Sequence, residues 1–142
     1  MGCKRKAYMN NWKSKNRHKY LLQYHLIFVC KYRKKMMTPK ISEDIKQLSF
    51  EICKRIDVEI KTMETDKDHI HYMIETEPNM SISDIVNRIK SYTTYHIWQL
   101  DKDILKNYIY YDIHKFWTDG YFVCSVGNVS EKQLRKYIEN QG

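Results

Sequence analysis

The stretch from residue 66 to residue 75 limits the fold more than any other part of the chain, because its side chains alternate in character. Histidines stand at positions 69 and 71, and larger apolar side chains fill the alternate positions. Side chains of a β-strand point to opposite faces in turn, so the stretch is predicted to be a strand with one apolar face and one face carrying both histidines. The apolar positions are Ile70, Tyr72 and Ile74.

His69 and His71 would share one strand face with their backbones about 7 Å apart, so that both imidazoles could reach one divalent metal ion. An isolated pair of this kind is more often structural, with one histidine exposed and the other hydrogen-bonded. The pair alone therefore leaves both interpretations open.

The chain has 142 residues, which indicates a single domain with a substantial core. It has no run of some twenty apolar residues, so no transmembrane helix is expected. The N-terminus has no hydrophobic signal segment, which predicts a cytoplasmic protein. Its four cysteines have no paired-ligand spacing and are expected to be reduced thiols.

Positive charge is concentrated at the N-terminal end. The net charge is +8, and residues 1–40 contain twelve Lys or Arg and no acidic residue. The remainder contains 13 basic and 17 acidic residues, and 13 − 17 = −4. Residues 1–19 are predicted to be a basic arm, followed by one domain over residues 20–142. This asymmetry favours a polyanionic partner such as nucleic acid, although a solvated lysine-rich tail would look the same.

A second basic group follows the first predicted strand. Four cations surround one aromatic ring, a composition that suits phosphate contacts with a base stacked on the ring. These candidate DNA-binding residues are Lys31, Tyr32, Arg33, Lys34 and Lys35.

Periodicity and turn residues predict the remaining elements. The order strand, helix, strand, strand, helix, strand, helix indicates an α+β fold, with a ferredoxin-like (split βαβ) antiparallel sheet, helices on one face and an added C-terminal helix. The predicted elements are strand 20–30, helix 39–55, strand 58–65 forming a hairpin with the histidine strand, helix 81–100, a poorly patterned segment 101–119 with a possible short helix, strand 120–127, and a helix from residue 130.

The final helix begins with a capping box formed by Ser130 and Gln133. Tyr137 and Gln141 are four residues apart and would lie on one helix face. Tyrosine is a weak nucleophile near neutrality, because ionising a phenol of pKa 10 at pH 7 costs about 4 kcal/mol. It becomes effective when a metal neutralises the phosphate under attack.

Four segments in this order resemble the single-tyrosine HUH transposases of the smallest bacterial insertion sequences. Residues 65–71 resemble the His-hydrophobe-His motif, and residues 24–25 with 31–34 resemble the first strand and its exit. Residues 116–127 resemble the last strand, and residues 135–141 resemble the helix that bears the catalytic tyrosine.

The resemblance implies roles for four residues. Tyr137 would be the nucleophile, and His69, His71 and Gln141 would bind a divalent metal, Mg²⁺ or Mn²⁺. Two imidazoles would also suit Zn²⁺, so the residues do not identify the ion.

The resemblance also implies an activity and partners. The enzyme would cleave and rejoin single-stranded DNA through a 5′-phosphotyrosine intermediate, and it would recognise hairpins near the ends of the element. It would act as a homodimer in which the tyrosine helix of one subunit completes the site of the other. The expected location is the bacterial cytoplasm, on the nucleoid when bound to DNA.

Two other functions fit the same sequence. A non-catalytic nucleic-acid-binding domain of this fold would form no covalent product and need no metal. A metal-dependent phosphodiesterase would use a metal-bound water as nucleophile, so that cleavage would survive loss of Tyr137.

Overall fold

The computed structural model describes residues 21–110, 112–126 and 131–140. The predicted basic arm, residues 1–19, lies outside the described residues, as do Ser130 and Gln141. The described elements are β1 (Leu22–Val29), a 3₁₀ turn (Lys31–Arg33), α1 (Pro39–Arg55), β2 (Glu59–Asp66), β3 (His69–Thr76), α2 (Ile82–Leu100), α3 (Lys102–Leu105), β4 (Phe122–Ser125) and α4 (Glu131–Asn140).

The four strands form one sheet in the order β2-β3-β1-β4. Each neighbouring pair is antiparallel. This order and the element sequence around it confirm the predicted α+β, ferredoxin-like architecture. The histidine strand β3 is central, with β2 on one side and β1 on the other.

One face of the sheet packs against α1 and α2 and forms the core. The hydroxyl groups of Ser49 on α1 and Tyr72 on β3 lie 2.7 Å apart in the buried interior. The core-facing strand residues are Leu26, Phe28, Ile70, Tyr72 and Ile74, all fully buried. The alternation that predicted β3 is therefore the alternation between this core and the opposite face.

The two long helices begin at side-chain caps, as their sequences require. Thr38 Oγ1 accepts a hydrogen bond from the Ile41 amide at 3.2 Å, and Pro39 takes the first helical position. Ser81 Oγ accepts from the Asp84 amide at 3.1 Å. The predicted bounds of α1 are confirmed, and α2 begins one residue later than predicted because Ser81 is its cap.

The last strand is shorter than the predicted 120–127: β4 covers only Phe122–Ser125. The Lys90 ammonium group on α2 donates to the backbone carbonyls of Thr118, Asp119 and Gly120 at 2.8, 3.2 and 2.9 Å. These carbonyls bond to a side chain and lie between the isolated bridge Cys30–Trp117 and β4, so continuous pairing with β1 begins only at Phe122. The short helix expected within 101–119 is α3.

Within the described part of the chain, no helix is both long and apolar enough to cross a membrane.

Candidate active site

The face of the sheet opposite α1 and α2 carries the histidines, and we call it the histidine face. His71 on β3 pairs across the sheet with Ile27 on β1, and Ile27 pairs with Phe122 on β4. Paired residues in an antiparallel sheet point to the same side. His69 and His71 therefore share this face with the β4 residue Phe122, as the alternation in β3 predicted for the two histidines.

His69 is held by the residue that precedes it. Its Nδ1 atom lies 3.0 Å from Asp68 Oδ1, and both side chains are largely buried. Burial alone would raise the pKa of Asp68, but the hydrogen bonds from His69 and Arg33 outweigh it and lower that pKa. In the neutral form of His69, donation of the Nδ1 proton to an ionised Asp68 would leave Nε2 as the ring nitrogen with a free lone pair.

His71 is held by a second histidine. Its Nε2 atom lies 2.9 Å from Nδ1 of His25 on β1, and the ring centroids are 5.0 Å apart. Burial, followed by the electrostatic repulsion that a protonated His25 would exert, lowers the pKa of His71. His71 is thus biased toward the neutral form, which is the form that binds metal ions.

Tyr137 lies over the β4 end of the histidine face. Its ring packs against Phe122 of the same chain with centroids 4.8 Å apart. Burial raises the pKa of the Tyr137 phenol. Since Phe122, Ile27 and His71 are successive partners across the sheet, about 10 Å separates the strand positions under Tyr137 and His71.

Arg33 connects the two parts of the site. Its Nε donates to Asp68 Oδ2 at 2.8 Å, and its Nη1 donates to the Glu139 carbonyl of α4 at 2.9 Å. Arg33 and Tyr32 both adopt left-handed backbone conformations, with φ of 55° and 57°. Such conformations are costly for residues other than glycine, so this turn is held by its surroundings.

The residues of the predicted DNA-binding cluster Lys31–Lys35 differ in their exposure and in the groups that they contact. Tyr32 is 60% exposed, and Lys34 and Lys35 are also exposed. The Lys31 ammonium group lies 5.3 Å from the centre of the Tyr32 ring and 3.8 Å from Asp119. Arg33 instead points to Asp68 and α4, so its clearest role is to connect parts of the protein.

This basic turn and the histidine strand meet at one corner of the sheet. The Cys30 amide donates to the Asp68 carbonyl at 2.8 Å, and the Met37 amide donates to the Lys67 carbonyl at 3.0 Å. Both ends of the basic segment are thereby tied to the turn that leads into His69. The exposed residues Lys34 and Lys35 therefore lie in a segment that is fixed at both ends to the turn before His69.

The residues present are chemically suited to a divalent metal, although the set is not complete among the described residues. His69 and His71 offer two imidazoles, each held by a second group, as is usual for metal-binding histidines. Within residues 21–110, 112–126 and 131–140, no three His, Cys, Asp or Glu side chains are grouped to hold a metal. The predicted ligand Gln141 lies outside these ranges, so its position stays a prediction.

Sequence reasoning missed three supporting residues: His25, Asp68 and Arg33 in its bridging role. Asp68 could have been found, because metal-binding histidines commonly donate their second ring N–H to a carboxylate and Asp68 directly precedes His69. The pairing of His25 with His71 depends on which strands are neighbours and in what register, which no local pattern shows.

A cavity of about 600 Å³ lies elsewhere, between α2 and the segment around His114, and its lining includes Lys90, Tyr95 and Trp98. None of the candidate catalytic or metal-binding residues lines it.

Comparison with known proteins gives a consistent result. The model of a family described as "Transposase IS200 like" matches residues 18–141. The ISDra2 transposase TnpA of Deinococcus radiodurans is 27% identical over 126 residues, covering 86% of this chain and 85% of that protein. The transposase of insertion sequence element IS200 from Salmonella typhimurium is 27% identical over 133 residues, which cover 94% of this chain and 85% of that protein.

Solved structures share the fold. A crystal structure of a transposase candidate from Deinococcus radiodurans superimposes with a TM-score of 0.81 at 24% identity, covering 92% of this chain and 98% of that one. A REP-associated tyrosine transposase bound to a REP hairpin superimposes with a TM-score of 0.56 at 12% identity, and the match covers 90% of this chain and 69% of that one. At these identities the likeness concerns the fold.

Proposed function

Because this chain belongs to the family of IS200-like transposases, we propose that it cleaves and rejoins single-stranded DNA with Tyr137 as nucleophile. The observation that supports this most is the arrangement of the histidine face, where two oriented imidazoles and a tyrosine helix share one surface beside a basic turn. Its substrate would be DNA carrying hairpins at the ends of an insertion sequence, in the bacterial cytoplasm.

In the cleavage step, the Tyr137 oxygen attacks a phosphodiester phosphorus and loses its proton. A P–O bond forms to the tyrosine while the bond from phosphorus to the 3′-oxygen breaks, leaving a 5′-phosphotyrosine and a 3′-hydroxyl that has gained a proton. A 3′-hydroxyl of a second strand then attacks the phosphotyrosine and releases the tyrosine. The covalent link conserves the energy of the broken bond, so ATP is not required.

The protein residues mainly position and neutralise the reacting groups. His69 and His71 would hold the divalent metal together with Gln141, and a metal such as Mg²⁺ or Mn²⁺ supplies charge neutralisation at the phosphate oxygens. Lys34 and Lys35 bind the adjoining phosphates. Burial raises the pKa of Tyr137 in its resting place on Phe122, so the resting phenol is further from ionisation than an exposed tyrosine.

We also propose that the active form is a homodimer in which α4 of one subunit serves the site of the other. In the single chain, every described side chain of α4 from Lys132 to Asn140 is at least partly exposed, including Leu134 and Ile138. Among the described side chains of α4, even Leu134, Tyr137 and Ile138 are only partly buried on the helix's own sheet, so little buried apolar area is lost if the helix docks on another subunit.

The test is incubation with labelled single-stranded hairpin DNA and Mn²⁺, followed by denaturing electrophoresis. The wild type should give a covalent protein–DNA adduct, and Tyr137→Phe should give none. The control is Tyr95→Phe, which changes a tyrosine on α2 that is 62% exposed, and it should give the same adduct as the wild type. His69→Ala and His71→Ala should lose cleavage but keep hairpin binding.

Two outcomes would replace the proposal with another function. Cleavage that persists in Tyr137→Phe would identify a metal-dependent phosphodiesterase. Hairpin binding with neither adduct nor cleavage in the wild type would identify a non-catalytic DNA-binding domain.

A further inference from the structure

His25 lies on the histidine face of β1, beside a candidate metal ligand, and its ring is directed at that ligand. Its Nδ1 is 2.9 Å from His71 Nε2, with the two rings inclined at 36°. A contact of this length between two ring nitrogens is a hydrogen bond, so one nitrogen carries a proton and the other supplies a lone pair.

The direction of this hydrogen bond decides what His71 can do. If His25 donated, the proton of neutral His71 would be on its Nδ1, and the lone pair on its Nε2 would already be used. If His71 donates through Nε2, its Nδ1 keeps a free lone pair. Only the second arrangement lets His71 bind a metal without breaking the contact.

We propose that His25 is a positioning residue that accepts the Nε2 proton of His71 and thereby presents His71 Nδ1 to the metal. This inference rests on the proposed function, in which His71 is a ligand. His25 then does for His71 what Asp68 does for His69, since each ligand donates one ring N–H to a neighbour, as metal-binding histidines generally do. The two ligands thus use different nitrogens, Nε2 of His69 and Nδ1 of His71.

The chain offers a close control for removal of this contact. Gln23 lies two residues before His25 on the same strand face, and its Nε2 donates to Glu75 Oε2 on β3 at 2.9 Å. Gln23→Leu therefore removes a β1–β3 side-chain hydrogen bond without touching His71. Asparagine at position 25 keeps a polar atom at the place of Nδ1, whereas leucine keeps none.

The experiment measures the Mn²⁺ affinity of four full-length proteins by titration monitored with electron paramagnetic resonance. They are the wild type, His25→Leu, His25→Asn and Gln23→Leu. We expect His25→Leu to lose roughly 10- to 100-fold in Mn²⁺ affinity, the usual cost of removing a group that orients a ligand. His25→Asn and Gln23→Leu should keep wild-type affinity. Equal affinity in His25→Leu and the wild type would overturn the proposal.

Two spectroscopic measurements do not depend on activity. Long-range ¹H–¹⁵N NMR spectra of the metal-free wild type should show His71 protonated on Nε2, and His25→Leu should show a mixture of both neutral tautomers. Protonation on Nδ1 in the wild type would overturn the proposal. The second measurement is electron spin-echo envelope modulation of bound Mn²⁺, which counts the coordinated histidine nitrogens. Three such nitrogens would mean that His25 is itself a ligand, and this result would also overturn the proposal.

The His71→Ala variant separates failure of this inference from failure of the proposed function. If His71→Ala keeps both Mn²⁺ affinity and adduct formation, the proposed metal site is wrong and His25 has nothing to position. If His71→Ala loses both and His25→Leu loses neither, the transposase chemistry stands and only the role of His25 fails.

Discussion

Arg33 and Asp68 form a hydrogen-bonded ion pair in which the guanidinium Nε lies 2.8 Å from Oδ2. The other oxygen of Asp68 holds His69, and the other arm of Arg33 holds the Glu139 carbonyl near the end of α4. One carboxylate and one guanidinium therefore connect a candidate metal ligand to the helix of the candidate nucleophile.

The first prediction concerns Asp68→Asn, which keeps the shape of the side chain and removes its charge. We expect metal affinity and adduct formation to fall by roughly 10- to 100-fold, as for other groups that orient a ligand histidine. Mn²⁺ titration and the adduct assay measure both quantities. Asp103→Asn on α3, which removes an exposed carboxylate, is the control and should change neither.

A second prediction separates DNA contact from structural support in the basic turn. Replacing Lys34 and Lys35 by alanine should weaken binding of single-stranded DNA and reduce the slope of log affinity against log salt by about 1.4, since each lost phosphate contact contributes about 0.7. Fluorescence anisotropy over a range of salt concentrations gives this slope. The control replaces the exposed residues Lys54 on α1 and Lys106 directly after α3 by alanine, so both double variants have the same net charge. An equal loss of slope in both double variants would mean that total charge matters and the turn does not.

A third prediction concerns the core beneath the histidines. Tyr72→Phe removes the hydroxyl that bonds to Ser49 at 2.7 Å and leaves the buried Ser49 hydroxyl without this partner. The free energy of unfolding should fall by about 1–3 kcal/mol, measured by urea denaturation. The double variant with Ser49→Ala should recover part of that loss, because both hydroxyls are then gone. Additive losses would indicate that the two groups do not interact.

The parts of the site that the sequence predicted are those with a local signature. Alternation in β3 places His69 and His71 on one face because the period of two is a property of the strand itself. The four-residue step from which we predicted that Tyr137 and Gln141 share one helix face is equally local, and because Gln141 lies outside the described residues this stays a prediction.

The parts that escaped prediction depend on long-range contacts. β4 starts later than predicted, and the carbonyls of residues 118–120 instead accept hydrogen bonds from Lys90, some thirty residues away in the chain. Arg33 looked like one cation among several, and only its left-handed backbone turn directs it to Asp68 and α4.

The last prediction decides which subunit supplies the tyrosine. In the single chain Tyr137 rests on its own Phe122 and Arg33 holds the Glu139 carbonyl, whereas the proposed dimer exchanges α4 between subunits. We expect that a His71→Ala chain co-expressed with a Tyr137→Phe chain recovers cleavage that neither homodimer shows. With exchanged helices, one site of each mixed dimer receives intact histidines from the Tyr137→Phe chain and an intact tyrosine from the His71→Ala chain.

With unexchanged helices, every site of the mixed dimer lacks either His71 or Tyr137, and no cleavage should appear. Different affinity tags allow the mixed dimer to be isolated, and its mass confirms one copy of each chain. The adduct should form only on the His71→Ala chain, because that chain alone retains the nucleophile. A mixed dimer without adduct, prepared beside an active wild-type dimer carrying the same tags, would show that each helix serves its own sheet and would rule out the exchanged arrangement.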